Sequence, residues 1–195
     1  MDAPEPAFGG LNMYRDKTLI PTEALRLCML GTLAVQPHTY GELAREVRVF
    51  ASRIVGPSLD VMGLSIEGLR AEGLVKPATE LPDPADEILE LTDAGREELR
   101  TLMISNLRSP VDGNSQLVFA LKLRFLHLLS DTDAQDQVER MREISETEHA
   151  RLVDLKQRYG AEPGQFDAWL DLELTQVEDR LDWLATVKLD VKPAG

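Results

Sequence analysis

Three apolar runs at helical spacing, followed by two short strand-compatible runs around a tip rich in Pro and Asp, constrain the first half of this 195-residue chain most. The segment PTEALRLCMLGTLAV starts at Pro21, which suits a first helical turn because its missing N–H would have no partner there. Leu25, Cys28, Met29 and Leu33 then fall three or four apart until Pro37 forces a break. Thr39 can cap YGELAREVRVF, in which Leu43, Val47 and Phe50 form one apolar face while Arg45 and Arg48 lie on another. Ser58 can cap a third helix with a narrow stripe of Leu59, Met62, Ile66 and Leu69, ended by Gly73. LVKP and EILELT read as the two strands of a hairpin joined by ATELPDPAD. Thr92 or Asp93 then starts a further helix with Leu99, Leu102 and Met103 facing inward.

The remainder is helical throughout. Residues 115–129 are apolar almost all round, the pattern of a helix buried on several sides. Asp131 or Thr132 can cap a long helix through Arg158, broken at Gly160, and a last helix runs from about Gln165 to Val187. In it Leu170, Leu174, Val177, Leu181 and Leu184 repeat at intervals of four and three, and Trp169, Trp183 and Val187 widen the stripe. Such a stripe can be covered by a second chain or by an intrachain bundle, and spacing does not separate the two. A dimer is favoured here because so few helices rarely bury so broad a face among themselves.

An apolar content of 43% supplies a core for independent folding, while residues 1–17 lack periodic signal and are expected to be a disordered lead-in. No basic stretch followed by an apolar run opens the chain, and Leu117 to Leu129 is too short to span a bilayer and is interrupted by Lys122, Arg124 and His127. No membrane partner and a cytoplasmic address are expected. The lone Cys28 lies in an apolar run and reads as a small buried hydrophobe. His38, His127 and His149 have no ligand spacing, so neither a metal nor a cofactor is expected. No phosphate-cradling glycine loop or nucleophile elbow is present, which argues against an enzyme.

The formal net charge of −13 repels a polyanion at long range, so nucleic-acid binding would require a local basic surface. The deficit is not confined to one half: Lys and Arg number 10 against 15 Asp and Glu in residues 11–100, and 11 against 17 in residues 101–195.

The order of elements, with the phrases LCMLGTLAVQPHTYGELA, GLRAEGLV and above all LTDAGREEL, resembles the PadR family of winged helix-turn-helix transcriptional regulators. From QLVFALKLRFLHLL through ARLVDLKQRYG to VEDRLDWL the chain looks like the C-terminal helical domain of PadR-like regulators related to virulence-gene activators. The resemblance implies a mainly α fold: a winged helix-turn-helix domain with a small β-hairpin wing over residues 18–108, then a helical dimerisation domain over residues 109–190. It further implies a homodimer binding operator DNA, with a small-molecule effector in some members. The family's Gly-Tyr before Glu-Leu stands here as Tyr40-Gly41 before Glu42-Leu43. The outer places of the third helix, where the family carries a Tyr and several Lys or Arg, hold Gly63, Leu64, Glu67 and Gly68. The wing, commonly basic, carries Glu80, Asp83, Asp86 and Glu87.

Candidate DNA-binding residues are therefore Arg45, Arg48, Arg53, Arg70, Lys76, Tyr40 and Ser58, with Lys17 in support. Arg45, Arg48 and Arg53 admit two readings, phosphate contact or a solvated face paired with Glu42 and Glu46. The candidate dimer interface is Leu170, Leu174, Val177, Leu181 and Leu184. Phe125, Phe166, Trp169 and Trp183 could line a ligand pocket, although aromatics at helical spacing are more often core. The alternative function is a winged-helix interaction protein that meets a protein partner through its acidic third-helix face.

Overall fold

The computed structural model describes residues 15–56, 66–78 and 87–188. Ser58, Leu59, Met62, Gly63, Leu64, Glu80, Asp83 and Asp86 lie outside them. The chain divides into two compact units, Met1–Leu102 and Met103–Gly195.

In the first unit, α1 (Pro21–Val35) begins on its proline and is buried almost all round through Ala24, Leu25, Leu27, Cys28, Met29, Leu30 and Leu33. A two-residue strand, β1 (His38–Thr39), follows the break at Pro37. Helix α2 (Tyr40–Val55) opens with a complete capping box. The Glu42 amide donates to Thr39 Oγ1 at 3.4 Å, and the Thr39 amide donates back to Glu42 Oε2 at 3.0 Å. Leu43, Val47 and Ala51 bury its inner face. The described part of the third helix, α3 (Ile66–Ala71), buries Ile66 and Leu69, and Gly73 supplies the left-handed turn (φ 72°) that leads into the sheet.

Strands β2 (Val75–Pro77) and β3 (Ile88–Leu91) pair antiparallel, Val75 opposite Leu91. β1 adds to the other edge of β3, Thr39 opposite Ile88, giving the order β1-β3-β2. Helix α4 (Asp93–Met103) starts where Thr92 Oγ1 accepts from the Gly95 amide at 3.0 Å and donates to the Gly73 carbonyl at 2.7 Å. Gly95 cannot carry a side chain here, because a Cβ would stand 2.1 Å from the Leu74 carbonyl oxygen. That close approach gives the Gly of LTDAGREEL its physical reason.

The second unit contains α5 (Gly113–Arg124), a 3-10 turn (Leu126–Leu128), α6 (Asp131–Tyr159) and α7 (Phe166–Thr186). Ser130 caps α6, one residue before the expected Asp131, by accepting from the Asp133 amide at 3.2 Å. α6 and α7 run antiparallel, since Lys156 meets Asp171 (2.5 Å), His149 meets Glu178 (3.1 Å) and Glu148 meets Arg180. Leu152, Leu170 and Val177 form a buried cluster flanked by Leu155, Leu174 and Leu181. Four of the five stripe residues read as a dimer interface thus pack within the chain, and the fifth, Leu184, is buried as well. The α6 face turned inward is mixed, burying Gln137, Ser145 and Glu148 beside Ala134, Met141 and Leu152.

The architecture is mainly helical, a winged helix-turn-helix unit with a small antiparallel sheet followed by a helical region. No described helix is long and apolar enough to cross a membrane.

Candidate nucleic-acid interface

Arg45, Arg48 and Arg53 are exposed on the outer side of α2, opposite Leu43, Val47 and Ala51. From Arg45 to Arg53 is eight residues, about 12 Å along the axis at the helical rise per residue. No ion pair to any of the three is present among the described residues. Glu42 is turned back to Thr39, whose backbone and side-chain hydrogen bonds hold its carboxyl below the usual value, with smaller contributions from the nearby charges of His38 and Arg45. Val49 and Ser52 lie among them on the same side of the helix, and the half-buried Glu46 borders Arg53.

The cations of α3 and the wing are placed differently. Arg70 Nη1 lies 2.9 Å from Glu87 Oε2, tying α3 to the base of β3, and Lys76 Nζ lies 3.2 Å from Glu90 Oε1 across the β2–β3 pair. Glu72, just past α3, is bound by Arg26 of α1, which also reaches Glu98 of α4 at 2.9 Å. Three carboxylates around the Arg26 guanidinium raise its pKa against the effect of burial. Glu67, in contrast, is exposed on α3. Tyr40 is exposed at the first turn of α2, and Lys17 is exposed ahead of α1. Of the candidate DNA-binding residues, then, the fold brings Arg45, Arg48, Arg53 and Tyr40 onto one helix and engages Arg70 and Lys76 with carboxylates.

A family model described as "Putative AphA-like transcriptional regulator" matches residues 14–188. The chain belongs to this AphA-like family. No curated protein matches it in sequence. Among solved structures, Bacillus subtilis PadR is similar at 18% identity over 86% of this chain and 94% of that one, with a TM-score of 0.37. The same protein in complex with operator DNA is similar at 18% identity over 83% and 94%, with a TM-score of 0.36. The PadR-like transcriptional regulator BC1756 from Bacillus cereus is similar at 19% identity over 82% and 91%, with a TM-score of 0.33.

For an AphA-like regulator the aromatic candidates are dispersed. Phe125 is buried, whereas Phe166, Trp169 and Trp183 of α7 are exposed. Phe166 and Trp169 stack with centroids 5.5 Å apart. Trp183 is fourteen residues further on, about 21 Å along the axis. The four do not converge on one pocket. Spacing does not reveal the buried Lys122 of this AphA-like chain, the half-buried Arg26, or the pairing of buried Glu148 with half-buried Arg180. Lys122 does leave a signal, a single lysine in a helix otherwise apolar nearly all round, but in the sequence it reads only as an interruption.

Proposed function

We propose that this AphA-like regulator binds DNA as a homodimer and grips phosphates with Arg45, Arg48 and Arg53 of α2. The observation that carries the reading is the contrast in pairing. Among the described residues, those three arginines share one outer helix side without an ion pair, while Arg70 and Lys76 each hold a carboxylate. Phosphate contacts of this kind position a protein and supply salt-sensitive affinity without specifying sequence.

The dimer is read from α7. Trp169, Leu172 and Trp183 are 45, 56 and 49% exposed. They lie within about 60° of one another at roughly 100° per residue, on a different side from the buried leucine stripe. We read these three exposed apolar side chains, with Gln176 and Asp179 between Leu172 and Trp183, as the contact for a second copy of α7, which would meet them symmetrically. The resemblance of this half to the helical domain of regulators related to virulence-gene activators supports the same assignment. An effector of such a dimer would be met elsewhere than at the four dispersed aromatics.

The test is an anisotropy titration of the full chain against its own upstream DNA at two salt concentrations. Replacing Arg45, Arg48 and Arg53 together with Ala should remove most of the affinity and flatten the log–log salt dependence by roughly 0.9 for each phosphate no longer neutralised. Unchanged affinity and slope in the triple variant would overturn the assignment to α2.

A further inference from the structure

Lys122 projects from α5 into the interior of the second unit and is 0% exposed. Its Nζ donates to the Met103 carbonyl, to the Ser105 carbonyl at 2.6 Å and to Gln137 Oε1 of α6 at 2.8 Å. Three donors of an ammonium therefore meet three acceptors, and none of the acceptors is charged. No ion pair to Lys122 is present among the described residues. Among the described residues, the charge that bears on it is the like charge of Arg140, also on α6, whose Nη1 donates to Asn106 Oδ1 at 2.9 Å.

A buried cation without a counter-ion is costly, and burial together with Arg140 pushes the Lys122 ammonium down to about 7. A neutral amine in the same place has two N–H donors and one lone pair. Losing the proton to solvent would leave one acceptor without a donor unless a neighbour changes role. Of the three partners only Gln137 can do so, because its amide carries Nε2–H donors as well as the Oε1 acceptor, whereas the two carbonyls can only accept.

We infer that Lys122 and Gln137 form a proton-coupled switch in the core of the second unit. With the proton present, Gln137 accepts from the ammonium through Oε1. With the proton gone, Gln137 turns its amide and donates Nε2–H to the amine lone pair, and the two remaining amine protons stay on the carbonyls of Met103 and Ser105. Every donor and acceptor joining the lysine to its three partners is satisfied in both states, so the lysine can titrate inside the core without opening it.

The experiment follows the Lys122 side-chain carbon next to the amine and the Gln137 side-chain amide by NMR in the intact wild-type chain, from pH 5 to pH 10. Both signals should shift together with one midpoint near 7. Gln137→Glu supplies a counter-charge that cannot donate when ionised, and should keep Lys122 charged throughout that range. A lysine that stays protonated to pH 10 in the wild type, or one that titrates while the Gln137 amide does not move, overturns the inference. The wild-type titration decides this even where the variant does not fold.

Discussion

Arg70 Nη1 stands 2.9 Å from Oε2 of Glu87, and the Glu87 side chain is only 7% exposed against 39% for Arg70. The arginine of the expected groove-reading helix is thus engaged in an ion pair with an almost buried carboxylate. Removing one partner of such a pair strands the other charge. Arg70→Ala should therefore lower stability by about 2 kcal/mol, less than the loss for a fully buried pair because water reaches the guanidinium. Its effect on DNA affinity should be smaller than that of replacing Arg45, Arg48 or Arg53 singly. Urea unfolding and anisotropy on the same preparations separate the two effects, and a variant of normal stability with strongly reduced DNA affinity would show Arg70 to be a phosphate contact.

Gly95 gives a sign reversal. Ala is about 1 kcal/mol better than Gly in a helix interior, so Gly95→Ala in α4 would ordinarily stabilise. Here the new Cβ would meet the Leu74 carbonyl oxygen at 2.1 Å and its carbon at 3.0 Å. That carbonyl is held by the Thr92 amide at 3.0 Å and has little room to yield. The expected outcome is a net loss of roughly 1 to 3 kcal/mol, as for other overpacked sites. A raised melting temperature would mean that α4 can shift away from β2 at no cost.

Among the described residues, the helix positions, the two strands of the hairpin and most inward residues of the first unit were legible because they rest on local periodicity and capping. Thr39 with Glu42 and the run Leu43, Val47 needed no distant partner to be recognised. β1 escaped because two residues, His38 and Thr39, cannot show an alternation. Distant pairing escaped too. The groups around Lys122 come from positions 103, 105 and 137, and Arg70 meets Glu87 seventeen residues away, separations that no short-range pattern encodes. The stripe on α7 was legible as buried, but the cover, α6 of the same chain, was not, because a helix face carries no record of which helix lies on it. The arginines of α2 were legible as a basic edge. That they make no ion pair among the described residues while Arg70 and Lys76 are paired depends on the capping box, which draws Glu42 to Thr39, and on Glu87 and Glu90.

Lys122 also predicts how stability changes with pH. Its folded pKa is lowered to about 7 by burial and Arg140, whereas an unfolded lysine titrates near 10.4. Between those values the unfolded chain holds a proton that the folded chain has released, so stability from this group rises with pH, by at most about 1.4 kcal/mol per pH unit. Below about 7 both states are protonated and the contribution is flat. Lys122→Met lacks the group. Urea midpoints taken at pH 7 and pH 9 should therefore increase more for the wild type than for this variant, and equal changes in the two proteins would show that Lys122 keeps its charge throughout.

Buried and exposed apolar residues on α7 should respond in opposite ways. Leu170 is fully buried in the cluster with Leu152 and Val177, so Leu170→Ala leaves a cavity inside the α6–α7 pair. Truncations of this type cost about 2 to 5 kcal/mol. The variant should be less stable, while the surface offered to a second copy is unaltered. Trp169 and Trp183 are about half exposed and belong to the other side of the helix. Changing both to Glu removes apolar area from that side and places like charges opposite one another across a symmetric contact. The intrachain core is left alone. Light scattering should then report a dimer for the wild type and for Leu170→Ala at concentrations where it is folded, and a monomer of near-normal helicity for the double Glu variant. A double Glu variant that remains dimeric would move the dimer contact off this strip of α7.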